Sequence, residues 1–132
     1  MFKLLGITDE ITVCDCCGKP NLKCTIALEN EHGETVYFGR DCAGKALYGS
    51  KSAKNTKIAE SRARMIEACK RMLPIALQAI AAGENADKVV RAVDYRFSVS
   101  SGFYSDTGRK MPLRIFFNGW SIPGVEISAE NY

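Results

Sequence analysis

Six cysteines and one histidine are the residues of this 132-residue chain best suited to bind a metal or carry thiol chemistry. Five of the cysteines fall at positions 14, 16, 17, 24 and 42, and the sixth is Cys69. Cys14-Asp15-Cys16-Cys17-Gly18 has the spacing of a metal-binding knuckle. Two thiolates three residues apart face one ion when the chain turns tightly, and a glycine after the second lets that turn close without steric cost. Cys42 stands at the start of a predicted helix, where the positive end of the dipole favours a thiolate. Cys14, Cys17 and Cys42 are therefore read as ligands of one Zn2+.

For the fourth position Cys24 comes first and His32 second, with Cys16 and Asp41 also near. Each has a plainer reading. Cys24 is in register with Leu22, Ile26 and Leu28 on a core-facing strand. His32 sits in a solvated loop, and Cys16, lying between two ligands, should point away from them. Cys69 reads as a buried side chain of a long helix. Four protein ligands leave no open coordination position, so the expected site is structural rather than catalytic. A redox Cys-x-x-Cys opens a helix after a strand, whereas this one leads into a predicted hairpin.

Other chemistry is poorly supported. Gly39-Arg40-Asp41-Cys42-Ala43-Gly44-Lys45-Ala46 follows the phosphate-binding loop up to its last letter, where Ala46 replaces the magnesium-binding Ser or Thr. The glycines then read as small residues for close packing at a helix start. A cysteine nucleophile would need a base, and His32 is the sole histidine. Asp9/Glu10 and Asp106 suit caps and turns. The expectation is a protein that is not an enzyme and has no small-molecule substrate.

The elements that must position these groups follow from pattern. Residues 1–13 form a strand-like entry, and residues 14–21 a tight turn rich in Gly, Pro and Asn. Residues 22–28 alternate as a half-buried strand, 30–34 form a hairpin loop, and 35–38 the return strand. Asp41 can cap a short helix over 42–48, and 49–55 is a polar linker. A long amphipathic helix starts near Thr56. Ile58, Met65, Cys69, Met72, Ala76 and Ile80 lie on its inner face, flanked by Ile66, Leu73 and Leu77, with Glu60/Arg64 and Glu67/Arg71 pairs on the wet side. Pro74 should kink or restart it, and Gly83 closes it. Asn85 caps a second helix to about Arg96, with Val89, Val90, Val93 and Phe97 inward. Leu113, Ile115 and Phe117 alternate into an Asn118-Gly119 hairpin turn, and Trp120, Ile122, Val125 and Ile127 continue the pattern. The fold class is α+β: a treble-clef-like zinc module over residues 1–49, then a long helix, a second helix and a C-terminal β-hairpin over residues 50–132, packed with the first as one compact unit.

Charge is uneven. Residues 1–39 carry three lysines against six acids, residues 40–72 nine basic residues against three acids, and residues 73–132 six of each. The basic block attracts phosphate or an acidic protein surface. Lys45, Lys51, Lys54, Lys57, Arg62 and Arg64 are the candidate contacts to DNA or RNA. Phe103, Tyr104, Phe116, Phe117 and Trp120 lie near Arg109, Lys110 and Arg114 and could stack on bases. A hairpin packed on the long helix is the plainer reading, with Phe117 in the core and Phe116, on the face of Arg114, the candidate for exposure. The apolar stretch before Asp9 is too short for a signal-peptide core, and no run is long enough to span a membrane. A cytoplasmic, membrane-free location is expected, where thiols stay reduced.

The stretch 14–49, with Cys14-x-x-Cys17-Gly18-Lys19, Leu22-Lys23 and Phe38-Gly39-x-x-Cys42-Ala43, resembles small zinc-finger proteins of phages and prophages. The order of knuckle, hairpin and helix is that of a treble clef, which takes two ligands from its helix; here Lys45 stands where the second would be. The resemblance implies metal binding. By association it also suggests an alternative role as an inhibitor or adaptor acting on a host protein.

Overall fold

The computed structural model describes residues 1–100, 106–109, 111–118 and 124–129. Its elements run β1 (Lys3–Thr8), β2 (Thr25–Glu29), β3 (Thr35–Phe38), α1 (Arg40–Tyr48), α2 (Ala53–Ala81), α3 (Ala86–Val93), β4 (Phe97–Ser100), β5 (Leu113–Phe117) and β6 (Val125–Ala129). They make an α+β chain of two compact units, Met1–Glu67 and Ala68–Tyr132, each with a three-stranded antiparallel sheet. The division falls inside α2 rather than in the polar stretch after α1.

In the first unit the sheet order is β1-β2-β3. The strand-like entry is thus a full partner of β2, joined to it through Leu4↔Leu28 and Ile7↔Ile26. The register shifts between Leu4 and Gly6, so Leu5 is the extra residue of a bulge. The period-2 pattern of β2 buries Ile26 and Leu28, as alternation predicts, but the strand starts at Thr25 rather than at Leu22. The residues before it are held instead by the turn: Leu22 N–H donates to Thr12 O at 2.9 Å, and the buried Thr25 Oγ1 donates to Ile11 O at 3.0 Å. The core joins Cys14, Ile26, Leu28, Phe38, Cys42, Ala43, Ala59 and Ala63, with Phe2 and Phe38 rings 5.5 Å apart.

α1 ends at Gly49 in the left-handed region, whose N–H returns to Lys45 O. Ser52 starts α2 by accepting from Asn55 N–H at 3.1 Å. The helix therefore begins at Ala53, slightly ahead of the expected Thr56. Its deepest positions are small: Ala59, Ala63, Cys69 and Ala76 are fully buried, while Ile58, Met65, Met72 and Ile80 are half-buried. Weighting by side-chain hydrophobicity displaced the expected inner face, because close packing favours alanine at the line of nearest approach. α2 runs through Pro74 without restarting. Proline removes one hydrogen bond, and the surrounding strong helix formers carry the helix past an exposed position.

In the second unit Asn85 Oδ1 caps α3 by accepting from Lys88 N–H at 3.1 Å. α3 stops at Val93, short of the expected Arg96, because Asp94 is extended and grips Arg96 at 2.8 Å. Phe97 accordingly belongs to β4, and Val93 is exposed rather than inward. The sheet order is β4-β5-β6, so the expected hairpin is a three-stranded sheet. Leu113, Ile115 and Phe117 are buried, and Phe117 packs edge-on to Phe97 at 5.1 Å. Phe117 pairs with Val125, and the expected Asn118-Gly119 turn is not within the described residues. Phe103, Tyr104, Lys110, Trp120 and Ile122 lie outside the described residues.

Candidate metal centre

The knuckle is fixed by backbone bonds before any ion is considered. Gly18 N–H donates to Cys14 O at 2.8 Å and Cys14 N–H to Lys19 O at 3.0 Å. Gly18 takes φ +76, in the left-handed region that closes the turn. Asp15 ties the knuckle to β3: its N–H donates to Tyr37 O and its carboxylate accepts from Tyr37 N–H, each at 2.8 Å. β3 then delivers Gly39 and α1, whose first turn carries Cys42. A Cβ at Gly39 would come within 3.3 Å of Leu22 and 3.9 Å of Cys14 Sγ, so this position keeps the helix start close to the knuckle.

The sulfurs of Cys14, Cys17 and Cys42 all lie within 4.8 Å of one another, Cys14 and Cys42 buried and Cys17 exposed. Four sulfurs around a tetrahedral ion at a Zn–S distance of about 2.3 Å are separated by about 3.8 Å. The trio is therefore a soft donor set whose span is compatible with one tetrahedral ion. Burial pushes the Cys14 thiol up, but the amides of Gly39, Cys17 and Cys16 and the Cys17 thiol donate to its sulfur and bring it down to about 7. Burial, the surrounding thiols of Cys17, Cys14 and Cys16 and the charge on Cys14 push Cys42 up to about 12. No family model, curated protein or solved structure matches the chain.

The candidates for the fourth position separate. Cys16 is exposed and lies outside the mutual trio. Cys24 is half-buried and outside the mutual trio, yet it lines the same recess of about 650 Å³ as Cys14, Cys17 and Cys42. His32 is exposed at the β2–β3 tip, 3.8 Å from Glu31. Asp41 accepts from Thr56 Oγ1 at 2.7 Å. Cys69, buried in α2, is raised by burial to about 11, as befits a core thiol.

Of the six basic candidates, Lys45, Lys51, Lys54, Lys57 and Arg64 are exposed. Arg62 is half-buried and donates to Tyr48 Oη at 3.3 Å, so it is tied to the end of α1. Lys51 and Arg64 line the cysteine recess, and Lys57 lines the adjoining one. Sequence reasoning missed Lys19, Lys23 and Arg40, which also line the cysteine recess. Lys19 and Lys23 lie outside the basic block found by counting charge along the chain, and Arg40 at its first position was not picked as a contact; only their knuckle and helix-start positions could have flagged them.

Glu60 is clamped between two arginines, Arg64 at 2.9 Å and Arg40 at 3.3 Å. Arg64 holds its carboxyl below the usual carboxylate range, partial burial opposes this, and Arg40 adds to the lowering. A depressed folded value means that the stabilisation is present above the unfolded glutamate value of about 4.3 and is lost as pH falls through the folded one. At neutral pH Glu60→Gln should therefore melt below wild type, by about 1 kcal/mol for a clamp of this exposure. The gap should close on acidification. Thermal melts across the acid range check this, and a gap independent of pH would refute it.

Proposed function

We propose that this is a small non-enzymatic protein in which a structural Zn2+ organises a treble-clef-like module that binds nucleic acid through its basic segment. The observation that carries the metal half is the mutual approach of Cys14, Cys17 and Cys42. Cys24, on the wall of the same recess, completes the set of four thiolates. Zinc suits an all-sulfur set of this kind, and a filled tetrahedron supplies cross-linking rather than catalysis. The nucleic-acid half is supported by the exposed side chains of Lys45, Lys51, Lys54, Lys57 and Arg64, concentrated on the chain that follows the cysteines. Such cations release counterions from phosphates and read no sequence.

The test is metal content by elemental analysis together with binding of labelled DNA and RNA oligonucleotides across a salt series. One zinc per chain is expected, with affinity that falls steeply as salt rises. Replacing Lys51, Lys54 and Lys57 by Gln should weaken binding alike for every sequence, the slope of log K against log salt dropping by about 1 per lysine. Binding unchanged by salt would count against the reading.

A further inference from the structure

We infer that the recess above the cysteine trio is itself the phosphate track, and that Lys19 and Lys23 of the knuckle grip the nucleic-acid backbone together with Lys51. This rests on the nucleic-acid reading and goes further by saying where the backbone runs and which residues outside the basic segment hold it. Two recesses of the first unit share Arg40, Asp41, Lys51 and Glu60 and so adjoin one another. The first, of about 650 Å³, adds Lys19, Lys23 and Arg64; the second, of about 580 Å³, adds Lys57.

The charges on this surface sort cleanly. Its two carboxylates are engaged: Glu60 lies between Arg40 and Arg64, and Asp41 accepts from Thr56. Lys19, Lys23, Lys51 and Lys57 are exposed and form no ion pair with any described residue. Three unpaired ammonium groups on one recess, with a fourth on its extension, make a surface that attracts anions even after a zinc-thiolate centre contributes its own negative charge. No aromatic side chain lines either recess, so bases have nothing to stack on and the fitting ligand is the phosphodiester backbone. Lys19 also belongs to the knuckle through its carbonyl, which accepts from Cys14 N–H. The metal-bound loop therefore positions part of the track.

The experiment compares two double variants of the metal-loaded full chain, using labelled single-stranded oligonucleotides of mixed, all-thymine and all-adenine sequence as probes. Lys19→Gln/Lys23→Gln removes the recess lysines; Lys3→Gln/Lys88→Gln removes as much charge from exposed positions outside both recesses and outside the basic segment. The first is expected to lower the salt slope by about 1.4, at about 0.7 for each lost single-strand contact, and equally for all three probes. The second should change it by less than half as much, and Lys19→Arg/Lys23→Arg should restore the wild-type slope. If the first pair binds like wild type while wild-type binding falls steeply with salt, the track is wrong and the nucleic-acid reading stands. If the wild-type protein shows no salt-dependent binding to any probe, that reading fails and the track with it.

Discussion

Cys17→Ala should unfold much of the first unit, although Cys17 is exposed and packs in no core. An alanine at an ordinary surface position changes stability by no more than about 0.5 kcal/mol. A thiolate lost from a structural metal site removes binding energy that is folding energy, with apparent values of about 10–16 kcal/mol for whole zinc sites in small fingers. That is comparable to the entire stability of a typical domain, about 5–15 kcal/mol. The contrast makes Cys17 more informative than Cys14, which is 1 % exposed and would leave a cavity even without a metal. Without an ion the knuckle and α1 keep the knuckle's hydrogen bonds to β3 and the core packing of Cys14, Cys42 and Ala43. The expected result is loss of bound metal, a collapse of hydrogen-exchange protection across β1–β3 and α1, and the same collapse when wild type is treated with a chelator. Wild-type melting and protection in Cys17→Ala would remove the metal from the account of this fold.

What was readable in advance divides by the range over which each signal acts. The knuckle is a local signal: Cys14, Cys17 and Gly18 announce a turn whose geometry needs nothing from the rest of the chain. Alternation in residues 26–28 and 113–117 likewise marks the buried positions Ile26, Leu28, Leu113, Ile115 and Phe117. Pairing is not local. β1 carries no strong alternation and is a strand because β2 offers it an edge, with a bulge that period-2 reading cannot anticipate. Phe97 fits the helical spacing of Val90 and Val93, and only the extended Asp94 and the waiting edge of β5 turn it into a strand. The recess was illegible for the same reason. Lys19, Lys23, Arg40 and Lys51 are scattered along the sequence and meet only when the knuckle, α1 and the start of α2 close on the trio.

The join between α1 and α2 supplies the second large effect, at Gly44. A Cβ there would lie 3.0 Å from the carbonyl carbon and oxygen of Asn55 and from Thr56 N. These are backbone atoms of a first helical turn, and they are poorly placed to yield. The Asn55 side chain donates to Ser50 O at 2.9 Å and to Ser50 Oγ at 3.1 Å, and Thr56 is held on Asp41 of α1 itself. Gly44→Ala sets two effects against each other. Removing a helical glycine favours the fold by about 0.5–1 kcal/mol, while overpacking costs about 1–3 kcal/mol. The clash should win narrowly. Gly44→Val enlarges the clash, and its β-branch weakens the helical gain, so its loss should reach the upper end of that overpacking range. Because α1 also carries Cys42, the strain should appear as weaker metal retention in a chelator competition as well as a lower melting temperature. A variant that melted lower yet held metal as wild type does would separate the helix join from the metal centre. Coupled losses would show that the glycines of the phosphate-loop lookalike are there to bring two helices and a ligand together.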